Sequence, residues 1–172
     1  MSKCPYTNFK ERVLDYIKFL RTPREEYGNM PICPFVGGEV DKNKLMIEKF
    51  DPSKNTLIEM IERLELSDYD SALFVQVADL DLKQKDTVGY QDFINKTLRT
   101  NGYKHLKCIC FNPNDKLNIN GFNARSKAPY FLINIAKADL LDESHNNLMK
   151  TTYFDNMNKQ YLKYLHVKKE KV

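Results

Sequence analysis

The sequence has no apolar run that approaches the roughly 20 residues of a membrane-spanning helix. Its first residues, Met1 to Pro5, do not open a signal peptide with an apolar core. Charge of one sign is not in large excess either, because 27 basic residues stand against 23 acidic ones for a net charge of +4. Basic and aromatic residues also do not interleave as on an RNA-binding platform. We therefore expect a cytoplasmic protein that binds neither a membrane nor a nucleic acid.

Cysteine is scarce, and the four that occur are Cys4, Cys33, Cys108 and Cys110. A chain of 172 residues is long enough to bury a core without disulfide staples, so we expect reduced thiols. One residue separates Cys108 from Cys110, whereas structural zinc knuckles use two to four, which disfavours a zinc site. No Gly-x-Gly-x-x-Gly or Walker sequence is present, so a phosphate-binding loop is also disfavoured.

Apolar periodicity predicts alternating helices and strands. Helical spacing occurs over residues 9–21, after Thr56, around residues 90–98 and over 152–165, whereas residues 44–50, 71–77, 106–111 and 130–136 are predicted to be strands. On the last helix, the side chains predicted to face the core are those of Phe154, Met157, Tyr161, Tyr164 and Leu165. The stretch from Thr22 that leads into the Cys33-Pro34-Phe35 segment is predicted to be a long loop, and no clear helix is predicted after Gly37-Gly38. The order predicts one α/β domain over residues 1–172, with a small mixed sheet of about four strands flanked by helices, the last strand pairing antiparallel.

Two segments place Cys, Pro, Gly, Asn and Arg around short apolar runs, namely residues 32–38 and the stretch from Cys110 to Phe131. Ordinary core strands exclude such residues, so we expect the functional site there. The Cys33 thiolate could ligate iron or attack an electrophile, or Cys33 could be a small buried hydrophobe. Arg125 could clamp a carboxylate in a bidentate manner or form a surface ion pair.

Two further side chains near the second segment are candidates. Asn112 ends a predicted strand, and the asparagines of this loop could also serve only to hold its backbone. His105 begins the same strand and is the histidine closest in sequence to Cys110 and Asn112, so it is the best candidate for an imidazole ligand or base. An exposed histidine at the start of a strand is the alternative.

Short islands of the sequence resemble a known family. They are Pro31-Ile32-Cys33-Pro34-Phe35 with Gly37, Leu73-Phe74-Val75, Cys110-Phe111-Asn112, Asn123-Ala124-Arg125-Ser126 and Ala128-Pro129-Tyr130-Phe131. Together they resemble the YqcI/YcgG family, and they look closer still to small uncharacterised bacterial domains with a Cys-Pro-Phe start. The resemblance spans about residues 30–141.

Some members of that family are haem-dependent oxygenases that hydroxylate nitrogen on amino acids or guanidines. The resemblance implies a haem bound near Cys33, Phe35, Arg125 and Tyr130, with Cys33 or His105 as the iron ligand. Arg125 and Asn112 would then serve the reaction of a small nitrogen-containing metabolite. The alternative, from another class, is a non-catalytic domain that binds a small ligand or another protein.

Overall fold

The computed structural model describes residues 8–77, 84–116, 118–165 and 167. The helices are α1 (Phe9–Leu20), α2 (Pro34–Asp41), α3 (Leu57–Glu65), α4 (Gln84–Thr100), α5 (Ala138–Leu148) and α6 (Lys159–Tyr164). The strands are β1 (Pro23–Arg24), β2 (Met30–Pro31), β3 (Leu45–Phe50), β4 (Ser71–Gln76), β5 (Leu106–Phe111) and β6 (Leu132–Lys137). None of the described helices is long and apolar enough to cross a membrane.

The main sheet has four strands in the order β3-β4-β6-β5, and β1 pairs with β2 in a separate short ladder. Strands β3 and β4 are parallel and are joined through α3. Strand β6 is antiparallel to both of its neighbours, with Ile133 opposite Phe74 on β4 and opposite Cys110 on β5. The predicted mixed α/β sheet of about four strands is therefore confirmed, as is the antiparallel last strand.

Helices cover both faces of this sheet. Successive side chains of a strand point to opposite faces, so nearly continuous apolar strands are what this arrangement requires. On β4, Leu73 and Val75 point to one face, whereas Ala72 and Phe74 point to the other. We call the first the α1 face, since α1, α2, α5 and the C-terminal segment pack there. The second is the α3 face, which is covered by α3 and α4.

Helix α3 shows how directly some of the sequence determines local structure. The side chain of Thr56 accepts a hydrogen bond from the Glu59 backbone N–H at 3.2 Å, and the Glu59 carboxylate accepts one from the Thr56 N–H at 2.6 Å. This capping box satisfies two amides that would otherwise lack a partner. Ile61 and Leu64 are buried behind it, as the spacing predicts.

The expectation of no clear helix near Gly37-Gly38 is wrong, because Pro34–Asp41 forms α2. Pro34 occupies the first helical turn, where its fixed φ favours the helix and its missing N–H costs nothing. Gly37 lets α2 approach α1 closely, since a Cβ there would lie 3.3 Å from the Arg21 side chain. The two glycines therefore lie inside a helix, where sequence rules expect a break.

The C-terminal prediction is also partly wrong. Helix α5 was not predicted, since Lys137 ends β6 and Ala138 begins the helix with no turn residue between them. The helix predicted over 152–165 begins only at Lys159, where the Asn158 side chain accepts a hydrogen bond from the Tyr161 N–H at 2.8 Å. Phe154, Met157 and Tyr161 are buried, as predicted. The side chain of Tyr164, also predicted to face the core, is not among those described.

Side chains of α4 pair with the backbone of β5 along the outer edge of the sheet. The Cys108 N–H donates to Asn95 Oδ1 at 2.9 Å, Asn95 Nδ2 donates to the Cys108 carbonyl at 3.0 Å, and the Cys110 N–H donates to Gln91 Oε1 at 2.9 Å. Four residues of helix rise about 6 Å and two residues of strand about 6.8 Å, so the two spacings match. Helix α4 thus covers an edge strand that would otherwise expose unpaired backbone.

Candidate functional site

A cavity of about 70 Å³ lies on the α1 face of the sheet. Its floor is formed by β5 and β6, and its walls by α1, the start of α2, α5 and the C-terminal segment. Apolar side chains make up much of the lining, among them Leu20, Ile32, Ile109, Leu141, Leu148 and Phe154. The cavity therefore occupies a place where close-packed side chains would be expected.

Four tyrosines line this cavity, namely Tyr16, Tyr27, Tyr153 and Tyr161. Their hydroxyls bond to protein. Tyr16 donates to the Ala124 carbonyl at 3.2 Å, Tyr153 donates to the Ile32 carbonyl, and the hydroxyls of Tyr27 and Tyr161 lie 3.3 Å apart. Burial raises the pKa of Tyr16, Tyr27 and Tyr153 above the usual value, so these phenols are neutral near pH 7. The tyrosines thus supply aromatic surface more than free polar groups.

Cys33 lies immediately before α2 and lines the same cavity. Burial raises the pKa of its thiol, while the backbone amides of Val36 and Phe35 and the guanidinium of Arg125 act in the opposite direction. Burial has the larger effect, so the thiol is protonated at neutral pH. Cys33 therefore presents a protonated thiol beside groups that favour its anion.

Arg125 begins a short 3-10 turn that ends at Lys127. The Asn123 side chain holds the turn by accepting hydrogen bonds from the backbone N–H groups of Arg125 at 3.0 Å and of Ser126 at 3.1 Å. This arrangement follows from the preference of Asn for bonding to backbone two or three residues ahead. The turn buries the Arg125 side chain, which is 2% exposed.

The guanidinium of Arg125 has partners within the protein. Nη1 donates to the Cys110 carbonyl at 2.6 Å, and Nε lies 3.9 Å from Oδ2 of Asp115, whose side chain is 0% exposed. The rings of Phe111 and Tyr161 lie 5.3 and 5.5 Å from Cζ. Because Asp115 compensates the cation, the cavity beside it carries little net charge.

Asn134 is the polar residue on the α1 face of the central strand β6, and it lines the cavity. Its side-chain amide has no hydrogen-bond partner in the part of the chain that the structure describes. Asn134 and Cys33 also both line a second, smaller cavity of about 10 Å³. Asn134 is half-buried, and its amide can bind a ligand that offers a donor or an acceptor.

The structure brings together three of the residues predicted from sequence. Cys33, Phe35 and Arg125 all line the cavity, so the two segments singled out in the sequence meet in space. Cys33 was expected either at a ligand or as a buried hydrophobe, and it is half-buried at a cavity wall. Arg125 was expected to clamp a carboxylate or to form a surface ion pair, and its ion pair with Asp115 is buried instead.

The other three predicted residues do not line the cavity. The Asn112 amide donates to Thr87 Oγ1 at 2.7 Å and extends the contact between α4 and β5. The Tyr130 hydroxyl accepts a hydrogen bond from Arg12 Nη1 at 3.3 Å. His105 is exposed, with Nε2 2.9 Å from a carboxylate oxygen of Glu65. A single site that contains both Cys33 and His105 is therefore not what the structure describes.

Sequence reasoning missed two polar residues of the cavity, His145 and Asn134. His145 lies on α5, a helix that the sequence did not predict, and its ring is 6.1 Å from that of Phe154. The spacing of Leu141, Ser144, His145 and Leu148 follows one helical face and could have indicated this. Asn134 interrupts an otherwise apolar strand, and that interruption was the available signal.

A haem, which the resemblance implies, is a poor fit to this geometry. Pockets for drug-sized ligands measure roughly 300–1,000 Å³, and a porphyrin is at least as large, whereas this cavity measures about 70 Å³. Of the two residues that the resemblance implies as the iron ligand, Cys33 lines the cavity and His105 does not. The residues as folded do not fit a porphyrin, and the haem stays a prediction from the resemblance.

Comparisons with models of known protein families, with curated proteins and with solved structures found no match to this chain. The resemblance to the YqcI/YcgG family therefore stays a prediction from short islands of sequence. The functional argument below depends on the cavity and its side chains.

Proposed function

We propose that this chain is a small-molecule-binding domain whose ligand is compact, uncharged and largely apolar. The observation that carries the proposal is the cavity on the α1 face, which four tyrosines, Cys33 and Asn134 line in the middle of the fold. The proposal corresponds to the non-catalytic alternative drawn from the sequence.

The size of the cavity limits the ligand. One water molecule needs roughly 10–15 Å³ of such space, so about 70 Å³ has room for about five to seven water-sized groups. A small amide, alcohol or ketone is of this size. Larger ligands would require the walls to move.

The charges around the cavity favour a neutral ligand. Among the described lining residues, Arg125 is the one permanent ion, and Asp115 compensates it at 3.9 Å. An anionic ligand would compete with Asp115 for the guanidinium and would lose its hydration on entry. A neutral molecule avoids both costs.

One polar group on the ligand would be recognised by Asn134. Its side chain offers a carbonyl oxygen and an NH₂ group, and it can therefore pair with a ligand that is both donor and acceptor. Leu141 and Leu148, which also line the cavity, would contact the apolar part. A short carboxamide has this combination of groups.

The test is a titration with propionamide, a small neutral carboxamide, followed by NMR of the methyl groups of Leu141 and Leu148. We expect saturable shifts with a Kd in roughly the millimolar range, as suits so small a molecule. Ser144→Leu, which fills the cavity from α5, should abolish them. Asn146→Leu, on the exposed side of the same helix, is the matched control and should leave them unchanged.

Two results would contradict the proposal. The first is an absence of saturable shifts, or shifts that persist unchanged in Ser144→Leu. The second is a Soret band at one equivalent of added haem that is lost in Cys33→Ala, since this would show that the walls open to admit a porphyrin and would favour the oxygenase instead.

A further inference from the structure

We infer that a groove beside α1 binds acidic peptide segments of a partner protein, in which an aromatic or apolar residue stands next to the carboxylates. The groove measures about 440 Å³ and is open to solvent. It differs from the cavity that carries the proposed function, although Tyr16 lines both. The inference therefore goes beyond the proposed function and does not depend on it.

The lining of the groove combines aromatic and cationic side chains. Its residues are Arg12, Asp15, Tyr16 and Phe19 of α1, together with Lys127 and Pro129. The four residues of α1 recur at the three- and four-residue spacing of one helical face. Aromatic residues and arginine are the types that protein interfaces favour, so this composition suits a protein partner.

The Arg12 side chain is held in position by the protein itself. Its Nη1 donates a hydrogen bond to the Tyr130 hydroxyl at 3.3 Å, and its Cζ lies 5.2 Å from the centre of the Tyr130 ring. A guanidinium has several N–H donors, so others remain for a ligand. Because the side chain is already ordered, less entropy is lost when a carboxylate pairs with it in a bidentate manner.

The protein does not neutralise the cations of this surface. Arg12 and Lys127 have no ion-pair partner among the described residues, whereas Asp15, the acidic residue of the lining, is paired with Lys18 at 3.1 Å. Arg24 adds a third cation, since its Cζ lies 5.7 Å from the ring of the lining phenylalanine. Its buried Nε has no hydrogen-bond partner in the described part of the chain. This unpaired positive charge complements a partner rich in carboxylates.

The apolar part of the lining favours a peptide over a simple anion. Phe19 and Pro129 are half-buried, so an aromatic or apolar side chain of the partner would remove their exposed surface from water. The groove also falls within the roughly 300–1,000 Å³ typical of ligand pockets. A nucleic acid is disfavoured, because the net charge of the chain is only +4.

The experiment is a titration with the peptide acetyl-Glu-Phe-Glu-amide, followed by NMR of the backbone amides of Phe19 and Lys127. We expect saturable shifts with a Kd of roughly 0.1–1 mM, and at least about tenfold weaker binding of the uncharged acetyl-Gln-Phe-Gln-amide. Lys127→Gln should weaken the binding of the acidic peptide at least about threefold. Lys96→Gln, an exposed lysine of α4, is the matched control and should leave it unchanged.

Arg12 offers a second pair of variants. Arg12→Gln should weaken binding of the acidic peptide at least about fivefold, and Arg12→Lys should recover part of the loss, because lysine keeps the charge but lacks the planar fork. Ser144→Leu, which fills the cavity, should leave peptide binding unchanged. Failure of the proposed function and failure of this inference are therefore seen separately.

Four results would overturn the inference. The two peptides bind equally well, or Lys127→Gln weakens binding no more than Lys96→Gln. Acetyl-Glu-Gly-Glu-amide binds as tightly as the phenylalanine peptide, which would show that any pair of carboxylates suffices. A single-stranded oligouridylate binds more tightly than the acidic peptide, which would assign the groove to nucleic acid.

Discussion

The two faces of the sheet share the same strands and yet are filled differently. The α3 face is packed with aliphatic, aromatic and thiol side chains such as Met60, Phe74 and Ile133, all 0% exposed. The α1 face holds tyrosines, Cys33, Arg125 and Asn134 around a cavity. Close packing gains dispersion energy and excludes water, so the gap on the α1 face, which polar groups help to line, favours the interpretation that this face binds a ligand.

Polar side chains near the α3 face differ from Asn134 on the α1 face in their hydrogen-bond partners. Gln91 and Asn95 are buried, but each bonds to the backbone of β5. Asn134 has no such partner among the described residues. The difference teaches that a buried amide by itself does not indicate a site, whereas a half-buried amide that lines a cavity and has no hydrogen-bond partner among the described residues is a candidate for one.

The largest expected effect is a loss in the free energy of unfolding when one leucine from each face is replaced by alanine. Leu98→Ala on α4 removes a side chain that is 0% exposed in the packed core, and we expect a loss of about 3–5 kcal/mol in the free energy of unfolding. Leu148→Ala on α5, which already borders the cavity, should cost about 2–3 kcal/mol because fewer contacts are lost. Urea denaturation measures both. Equal losses would show that the α1 face is as tightly packed as the other.

The next effect concerns the contact between α4 and β5. Asn95→Ala removes the partner of both the N–H and the carbonyl of Cys108, and we expect a loss of about 2–3 kcal/mol because two buried backbone groups lose their bonds. Asn101→Ala is the control, since its exposed side chain caps only the end of the helix and its loss should cost less than about 1 kcal/mol. A cost for Asn95→Ala no larger than the control in the same denaturation measurements would contradict the role of this helix.

A smaller effect should appear at alkaline pH. The pKa values of Tyr16, Tyr27 and Tyr153 are raised in the folded state, so the unfolded chain loses these protons first as the pH passes about 10. The contribution of these three phenols to the free energy of unfolding is therefore fully present below that pH and is lost progressively above it. The unfolding free energy should fall with pH in this range, and Tyr153→Phe should make that fall less steep by up to about 1.4 kcal/mol per pH unit. Denaturation at a series of pH values measures the slope. Tyr90→Phe on the other face offers a comparison, because burial raises the pKa of Tyr90 to about 12. A slope unchanged by Tyr153→Phe would be the contrary result.

The smallest effect separates two neighbouring glycines in α2. A Cβ at Gly38 meets nothing within 4 Å, so Gly38→Ala should stabilise the protein by about 0.5–1 kcal/mol through the entropy of the unfolded chain. A Cβ at Gly37 would press on the Arg21 side chain, so Gly37→Ala should gain less. Thermal unfolding of the two variants measures the difference in stability. Equal gains in stability would show that α2 does not need its close approach to α1.

The sequence predicted the sheet well because its strands carry strong, continuous apolar signals bounded by turn residues. It predicted α3 because Thr56 and Glu59 mark its start by local hydrogen bonds. It missed α2, where two glycines fall inside a helix that tertiary contact with Arg21 stabilises, and α5, which follows β6 without a turn. In both cases the determining contacts are distant in the chain.

The candidate site was predicted only in part, for a similar reason. Cys33 and Arg125 stood out because they are unusual residues in apolar surroundings, and the structure places both at one cavity. His145 did not stand out, because its helix was not predicted. His105 was favoured because it is near Cys110 in sequence, but it pairs with Glu65 at the surface. That Asp115 compensates Arg125 depends on how the loop folds, which no local pattern reveals.

The central claim is that the cavity on the α1 face selects a compact neutral ligand, and the most direct measurement is a parallel NMR titration with propionamide and propionate. These probes have nearly the same shape and differ in charge. The account predicts saturable shifts at Leu141 and Leu148 with propionamide and at least about tenfold weaker binding of propionate. Tighter binding of propionate would contradict it, because Arg125 would then act as a free cation for a carboxylate.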